Sequence, residues 1–118
     1  MSENPICNKA AYLQLCEDVG DEEAADVLRA FLDDTQLKVS ALSSDSQRAH
    51  IKTEAHSLKS SSATFGFLKL SELGRSLESG TETMTTGDVQ KAIEIIQAVF
   101  DITERFARAE LLSETAAA

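Results

Sequence analysis

The stretch "HIKTEAHSLKSSSATFG", residues 50–66, decides the fold class, because its apolar side chains recur at intervals of three and four residues. At about 100° of rotation per residue, they share one stripe of an α-helix, within about 40° of its first member. The stripe consists of Ile51, Ala55, Leu58, Ser62 and Phe65. A half-buried β-strand would instead show strict alternation, which no part of the chain has. These residues therefore predict a long amphipathic helix that Gly66 ends.

Two helices are predicted upstream by the same spacing. A short helix is expected around residues 8–18, and a long helix begins with Asp21 as its N-cap. The apolar stripe of the long helix is Ala24, Val27, Leu28, Phe31, Leu32, Val39 and Leu42. The serine-rich "LSSDSQ", residues 42–47, ends that helix. Ser44, with Gln47 three positions later, has the form of a capping box that opens the helix of the quoted stretch.

Two further helices are predicted downstream. The first ends around Ser79 and Gly80, and its stripe includes Gly74, which permits a close contact with another helix. The other members of that stripe are Phe67, Leu70, Leu73 and Leu77. After the link "TETMTTGD", residues 81–88, the last helix begins near Asp88. Its buried stripe is Val89, Ala92, Ile93, Ile96, Phe100, Thr103 and Ala107.

Short connections between long amphipathic helices predict an all-α fold, an antiparallel up-down-up-down four-helix bundle with a short additional N-terminal helix. The length fits a single domain over residues 1–118, with its core at about 8–112. The tail at residues 113–118 lacks a core pattern, so we expect it to be flexible.

Composition excludes several classes of partner. A formal net charge of −9 repels nucleic acid and anionic lipid, and no run of Lys and Arg offsets it. The chain has no basic leader and no segment approaching the ~20 apolar residues of a membrane span, so we expect a cytoplasmic protein. Cys7 and Cys16 would lie roughly 13 Å apart on one helix, which predicts reduced thiols and no metal site. The expected partners are proteins, and the expected state is a monomer.

His56 is the candidate reactive residue. It lies at roughly 140° from the apolar stripe, with Lys52, Lys59 and Ala63 on the same side and Ser60 slightly further round. An imidazole exposed at neutral pH has a lone pair for nucleophilic attack, and a lysine one turn away can pair with phosphoryl oxygens. Small neighbours leave room for a partner to approach. The pattern therefore suits a phosphoryl acceptor, although a lone surface histidine is more often a plain solvated residue.

Other chemistries find no support in the sequence. His50 points more than ~100° away from His56, so the two histidines do not form one site. The Glu-x-x-His pattern of di-iron bundles is missing, because Glu54 and His56 are only two positions apart. No phosphate-binding loop of the G-x-x-x-x-G-K-[ST] type and no Gly-rich kinase loop occurs. Any phosphoryl group would therefore come from another protein.

The segment "AHSLKSSSATFGFLKLSELGRSLE", residues 55–78, resembles the histidine-containing phosphotransfer (HPt) domain family. That family's motif reads His-x-Leu-Lys-Gly/Ser, two small residues, two variable positions, an apolar residue and Gly. The matching positions are His56, Leu58, Lys59, Ser60, Ser61, Ser62, Phe65 and Gly66. The one departure from the commonest pattern is Ser60, where glycine is more frequent. The resemblance implies a bundle of this length and a phosphorelay carrier.

Specific roles follow from the resemblance. It implies that His56 takes phosphoryl from an aspartyl phosphate on one receiver domain and passes it to an Asp on another, while Lys59 stabilises the phosphoryl group. Glu78 would lie near the imidazole on the neighbouring helix and orient it. The implied partners are receiver domains of a hybrid sensor kinase and of a response regulator. Such a domain is not an enzyme and needs no cofactor of its own, because the receiver brings Mg²⁺.

A docking surface for these partners is expected around the acceptor. Its candidate residues are Ser60, Ala63, Lys52 and Arg75. A plain solvated lysine remains the alternative for Lys52, as a surface carboxylate does for Glu78.

Two other functions stay open. A non-phosphorylated helical adaptor would bind receiver domains or kinases without accepting phosphoryl. A chemotaxis-kinase-type phosphoacceptor domain would be followed by a kinase catalytic domain, which this sequence does not contain, and the ends of the chain favour a free-standing carrier. An acid-labile, alkali-stable label after incubation with a phosphorylated receiver domain separates a carrier from an adaptor.

Bulk at the small positions should slow phosphotransfer. We expect Ser60→Leu or Ala63→Leu to reduce the rate at least tenfold, since a misplacement of about 1 Å can cost on the order of a hundredfold. Ser60→Gly should keep or raise the rate. A time course with a phosphorylated receiver domain measures this, with circular dichroism to show that each variant folds. Folded leucine variants that transfer as fast as the parent would place docking elsewhere.

Overall fold

The computed structural model describes residues 6–112, and every regular element within them is helical. The helices are α1 (Lys9–Val19), α2 (Asp21–Ala41), α3 (Arg48–Thr64), α4 (Leu68–Gly80) and α5 (Thr86–Phe106), followed by a π-helical turn at Ala107–Leu111. The predicted all-α class and its five helices are confirmed, whereas the π-helical turn was not anticipated. No helix in the described part of the chain is long and apolar enough to cross a membrane. The tail expected to be flexible lies outside the described residues.

The α3 and α4 helices form the most extensive helix pair in the molecule. Near the start of α3, the Arg48 guanidinium donates to the carbonyl oxygens of Thr81 and Met84, just beyond the end of α4. Near its end, the carbonyl of Lys59 accepts a hydrogen bond from Ser71 Oγ at 2.9 Å, close to the start of α4. Contacts at both ends hold the two helices against each other along their length.

Polar contacts also join α2 to α5. Gln97 Nε2 donates to the Val39 carbonyl oxygen at 3.0 Å, and the Arg108 guanidinium lies 3.0 Å from a carboxylate oxygen of Asp33. The Gln90 side chain accepts from the backbone of Ser44 at 3.2 Å. These contacts bring the end of α2 to the start of α5, and the middle of α2 to the π-helical turn.

The core is built from the predicted stripes, with corrections on α5 and α2. On α5, Ala92 was predicted to be buried but is half-buried. Val27 was predicted to be buried but is 41% exposed, and Phe31 is only half-buried. Both residues line an open groove of about 480 Å³ between α2 and α3, together with Ser61 and Phe65. The two helices make few contacts there, so this edge of the α2 stripe faces the groove. Phe31 still packs on Phe65, with ring centroids 5.1 Å apart.

Two predicted N-caps were wrong. Asp21 is the first residue of α2 rather than its cap, because Gly20, with a φ of 96°, takes the cap position. The expected capping box of Ser44 and Gln47 does not form. Gln47 caps α3 without a side-chain hydrogen bond. In the preceding turn, the Ser46 hydroxyl accepts from the Ser43 amide and the Ser43 hydroxyl accepts from the Asp45 amide. The last helix begins near Asp88 as predicted, at Thr86, and the Thr85 hydroxyl caps it by accepting from the Asp88 amide.

Gly66 ends α3 as predicted and joins it to α1. Its φ of 80° lies in the left-handed region that favours glycine. The Asn8 amide donates to the Gly66 carbonyl oxygen at 2.7 Å, and a Cβ at Gly66 would lie 2.4 Å from the Asn8 carbonyl oxygen. Only glycine therefore allows the start of α1 to rest on this turn.

Gly74 makes the close helix contact predicted from its place on the α4 stripe. A Cβ added there would lie 3.0 Å from both the carbonyl oxygen of Ala55 and the amide nitrogen of Lys59. Those atoms belong to the backbone of α3, which cannot move aside as a flexible side chain can. The absence of a side chain at Gly74 thus sets how near α4 comes to the turn of α3 that carries His56.

Gly74→Ala should destabilise the protein by about 1 to 2 kcal/mol, because overpacking of about 1 to 3 kcal/mol outweighs a gain in helix propensity of up to about 1 kcal/mol. The matched control is Gly87→Ala in α5, where the nearest side-chain atom, Thr85 Oγ1, is 4.0 Å from the added Cβ. That variant should be as stable as the parent or more so. Urea unfolding of both variants measures the difference, and equal stability would show that α4 can retreat from α3 at no cost.

Candidate phosphoacceptor site

His56 projects from α3 into solvent, as its angle from the apolar stripe predicted. Its side chain is 61% exposed, although its neighbours Ala55 and Leu58 are buried. Ser60 and Ala63 are both exposed on the following turns. A partner can therefore reach the imidazole without displacing any part of the core.

Glu78 of α4 binds both His56 and Lys59 through one carboxylate. Its Oε2 atom lies 2.6 Å from His56 Nδ1, and its Oε1 atom lies 2.9 Å from Lys59 Nζ. The Glu78 side chain is only 20% exposed and that of Lys59 is 30% exposed, so both flank the more open imidazole. The structure thus brings together the three residues that the sequence nominated for the chemistry.

The backbone of α4 explains why Glu78 reaches this position. Ser71, Gly74 and Glu78 follow one another at intervals of three and four residues, which places them on one face of α4. Ser71 Oγ donates a hydrogen bond to the Lys59 carbonyl oxygen, and the missing side chain at Gly74 lets α4 approach α3 at Ala55. Glu78 then lies one turn further along, beside His56.

The neighbours of Glu78 favour the ionised form of its carboxyl group. The Lys59 ammonium, and after it the hydrogen bond with the His56 imidazole, hold the pKa of Glu78 below its ordinary value of 4.5. At neutral pH Glu78 is therefore a carboxylate and can only accept hydrogen bonds. The short contact then assigns the proton to His56 Nδ1. In the neutral ring this leaves the lone pair on Nε2, the nitrogen that Glu78 does not bind.

The remaining predicted residues surround this centre at the surface. Lys52 Nζ lies 3.4 Å from an oxygen of Glu82, so it is paired in the structure. Arg75 is exposed on α4, and His50 is exposed on α3 without joining the cluster. Within residues 6–112, no group of His, Cys, Asp and Glu side chains could hold a metal ion.

The sequence model of the Hpt domain matches residues 11–114, which is most of the chain. The chain belongs to the Hpt domain family. Comparisons with curated proteins and with solved structures found no match. Membership of the Hpt family implies a part in phosphorelay, or two-component, signalling. Hpt domains are phosphocarriers that interact with receiver domains rather than catalytic enzymes, and no kinase or ATP-binding family matches the chain.

Two contacts of this Hpt domain were not predicted from its sequence: the hydrogen bond of Ser71 with Lys59 and the ion pair of Glu78 with Lys59. The signal for Ser71 was its position three residues before Gly74 on the helix face that leads to Glu78. That signal became readable only once α4 was placed against α3. The sequence does not predict that Lys59 pairs with Glu78, because an ammonium group can bind either carboxylate or phosphoryl oxygens.

The depressed pKa of Glu78 predicts a pH-dependent difference between the parent and Glu78→Gln. A lowered folded-state pKa adds stability above pH 4.5, and this contribution is lost as the pH falls through the folded-state value. The parent should therefore be the more stable protein at pH 6 to 7, and the difference should shrink in acid, where Glu78 is protonated and resembles Gln. Thermal unfolding across this pH range measures the difference.

Glu72→Gln is the matched control on the same helix. Glu72 is exposed and has no ion-pair partner within residues 6–112, so its substitution should change stability little at any of these pH values. If the two variants behave alike, the contacts of Glu78 with His56 and Lys59 contribute nothing to folding.

Proposed function

We propose that this protein is a phosphorelay intermediate that accepts a phosphoryl group on His56 from a receiver-domain aspartyl phosphate and passes it to an Asp of a response regulator. The observation that carries the proposal is the exposed imidazole of His56, held at Nδ1 by the Glu78 carboxylate. This contact leaves Nε2, the ring nitrogen that Glu78 does not bind, as the nucleophile.

The transfer itself requires little from this chain beyond positioning. The Nε2 lone pair forms a bond to phosphorus while the bond from phosphorus to the donor aspartate oxygen breaks, and the aspartate leaves as a carboxylate. Lys59 stabilises the phosphoryl oxygens. In the onward step the bond from nitrogen to phosphorus breaks, its electron pair returns to Nε2, and the acceptor aspartate forms the new bond. We propose that no cofactor resides in this chain and that the partner receiver domain supplies Mg²⁺.

Docking is proposed to cross the small residues next to His56. Ser60 and Ala63 are exposed and have short side chains, so a receiver domain can bring its aspartate close to Nε2. Lys52 and Arg75 are proposed to border the same surface. Lys52 would have to share its ammonium group with Glu82 or leave it.

The arrangement of helices supports an up-down-up-down bundle. The start of α3 contacts the end of α4, and the end of α2 contacts the start of α5, as antiparallel neighbours do. We therefore propose that α2 to α5 form the antiparallel four-helix bundle, with α1 as the additional helix, within one domain spanning residues 1–118. The core at about residues 8–112, the cytoplasmic location and the monomeric state stay predictions.

His56→Gln should abolish labelling by a phosphorylated receiver domain while leaving the fold intact. Substitutions of exposed residues usually change stability by less than ~0.5 kcal/mol, so the melting temperature and helical content should hardly change. Transfer of an acid-labile, alkali-stable label to the protein is the measurement. Labelling of the parent that persists in His56→Gln would place the acceptor elsewhere.

His50→Gln is the matched control, because His50 is the other histidine of the chain and is also exposed on α3. It should label at the parent rate. A parent protein that binds the phosphorylated receiver domain but takes up no label would instead be the adaptor that the sequence left open.

A further inference from the structure

Lys59 has two prospective partners, the Glu78 carboxylate and a phosphoryl group on His56. In the structure its ammonium group lies 2.9 Å from Glu78 Oε1, on the side of the carboxylate shared with His56 Nδ1. In the proposed function, which this inference rests on, Lys59 stabilises a phosphoryl group on Nε2. The two nitrogens of an imidazole point away from each other, so the Glu78 carboxylate and the phosphoryl group lie on different sides of the ring.

We propose that Lys59 exchanges partners during the relay: it neutralises Glu78 in the resting protein, moves to the phosphoryl group once Nε2 is phosphorylated, and leaves Glu78 to retain the Nδ1 proton of the phosphorylated ring. Glu78 and Lys59 then act as a coupled pair. Glu78 is a positioning residue that also keeps the proton on His56 Nδ1. Lys59 neutralises the Glu78 carboxylate in the resting protein, and the carboxylate acts on the ring with its full charge once Lys59 has moved.

Counting charges shows why the exchange favours transfer. The resting site of neutral His56, Lys59 and ionised Glu78 has no net charge. Attack by Nε2 makes the ring cationic and adds a phosphoryl group with two negative charges, so the site carries −1 if Nδ1 keeps its proton and −2 if it does not. A cationic ring is also the better leaving group, because it departs as neutral imidazole. Retaining the proton thus lets both transfers proceed without a proton moving.

The nearby charged groups do not replace Lys59 in this exchange. On α3, Lys52 pairs with Glu82, which follows α4. The other charged residues of α4 are Lys69, Glu72 and Arg75, which are exposed and have no ion pair within residues 6–112. Lys59 is therefore the cation that contacts the shared carboxylate, and its departure is what exposes the Nδ1–H group to the full negative charge of Glu78.

The test uses the full chain with His50→Gln, labelled with ¹⁵N in histidine, so that His56 is the only histidine observed. Phosphoramidate serves as the phosphoryl donor, which makes the test independent of any partner domain. The Nδ1 chemical shift at a fixed pH near 8 reports whether that nitrogen carries a proton. Spectra before and after phosphorylation are compared for the parent, Glu78→Gln, Lys59→Met and the double variant. Lys69→Met, an exposed lysine elsewhere on α4, is the control.

Before phosphorylation, Lys59→Met should shift the Nδ1 signal when Glu78 is present and leave it unchanged in the Glu78→Gln background. After phosphorylation, Nδ1 should keep its proton in the parent and lose it in Glu78→Gln. The effect of Lys59→Met should then appear in the ³¹P signal, with the same size whether or not Glu78 is present. Lys69→Met should change none of these signals.

Three results would overturn the exchange. An Nδ1 without a proton in the phosphorylated parent removes the role of Glu78. An effect of Lys59→Met that depends on Glu78 equally before and after phosphorylation shows that the lysine does not move. Phosphorylation at Nδ1 instead of Nε2 contradicts the geometry. Failure of His56 to be phosphorylated either by phosphoramidate or by a phosphorylated receiver domain would be a separate result, since it would overturn the proposed function itself.

Discussion

The close approach of α4 to α3 at Gly74 is the constraint on which the site depends. A Cβ at this position would come within 3.0 Å of backbone atoms of Ala55 and Lys59, so the helices can lie this near only because the side chain is missing. Ser71 uses the same proximity to bind the Lys59 carbonyl oxygen. Glu78, one turn beyond Gly74, reaches His56 and Lys59 for the same reason. Backbone packing therefore sets side-chain distances on which the chemistry relies.

The contacts of Glu78 serve the chemistry of the site more than the stability of the fold. Ion pairs near the surface contribute little to folding, because water screens them and because ordering long side chains costs entropy. The same contacts are effective in selecting a protonation state, since a carboxylate that accepts from Nδ1 leaves only one nitrogen of a neutral ring with a lone pair. A weak contribution to folding is thus compatible with a decisive contribution to reactivity.

The two sides of α3 have different surroundings: one packs against the core and the other is open to solvent. The side that faces the core holds fully buried residues such as Ile51 and Ser62, whereas His56, Ser60 and Ala63 are exposed. The core side fixes the backbone from which the imidazole projects, and the short side chains on the other side leave it uncovered. The proposed function needs both properties, because the acceptor would have to be held in one orientation and still be reached by two different partners in turn.

The sequence by itself determined the helical class, the number of helices, the exposure of His56 and the need for glycine at positions 66 and 74. Each of these follows from periodicity or from backbone sterics, which are local properties. The N-caps of α2 and α3 were misjudged, because Ser, Asp and Gln can cap a helix or lie inside or before one with nearly equal ease. Val27 was misassigned because periodicity shows which face is apolar but not how near the next helix lies.

Only the tertiary structure decided what Gly74 touches and which groups share the Glu78 carboxylate. The resemblance implied that Glu78 lies near His56, but it did not include Lys59 in that contact. Two residues separated by 19 positions, Lys59 and Glu78, meet because a three-residue turn folds α4 back along α3 and Gly74 sets the distance between them. A sequence pattern specifies directions around one helix axis, whereas a distance between atoms on two helices depends on how those axes pack.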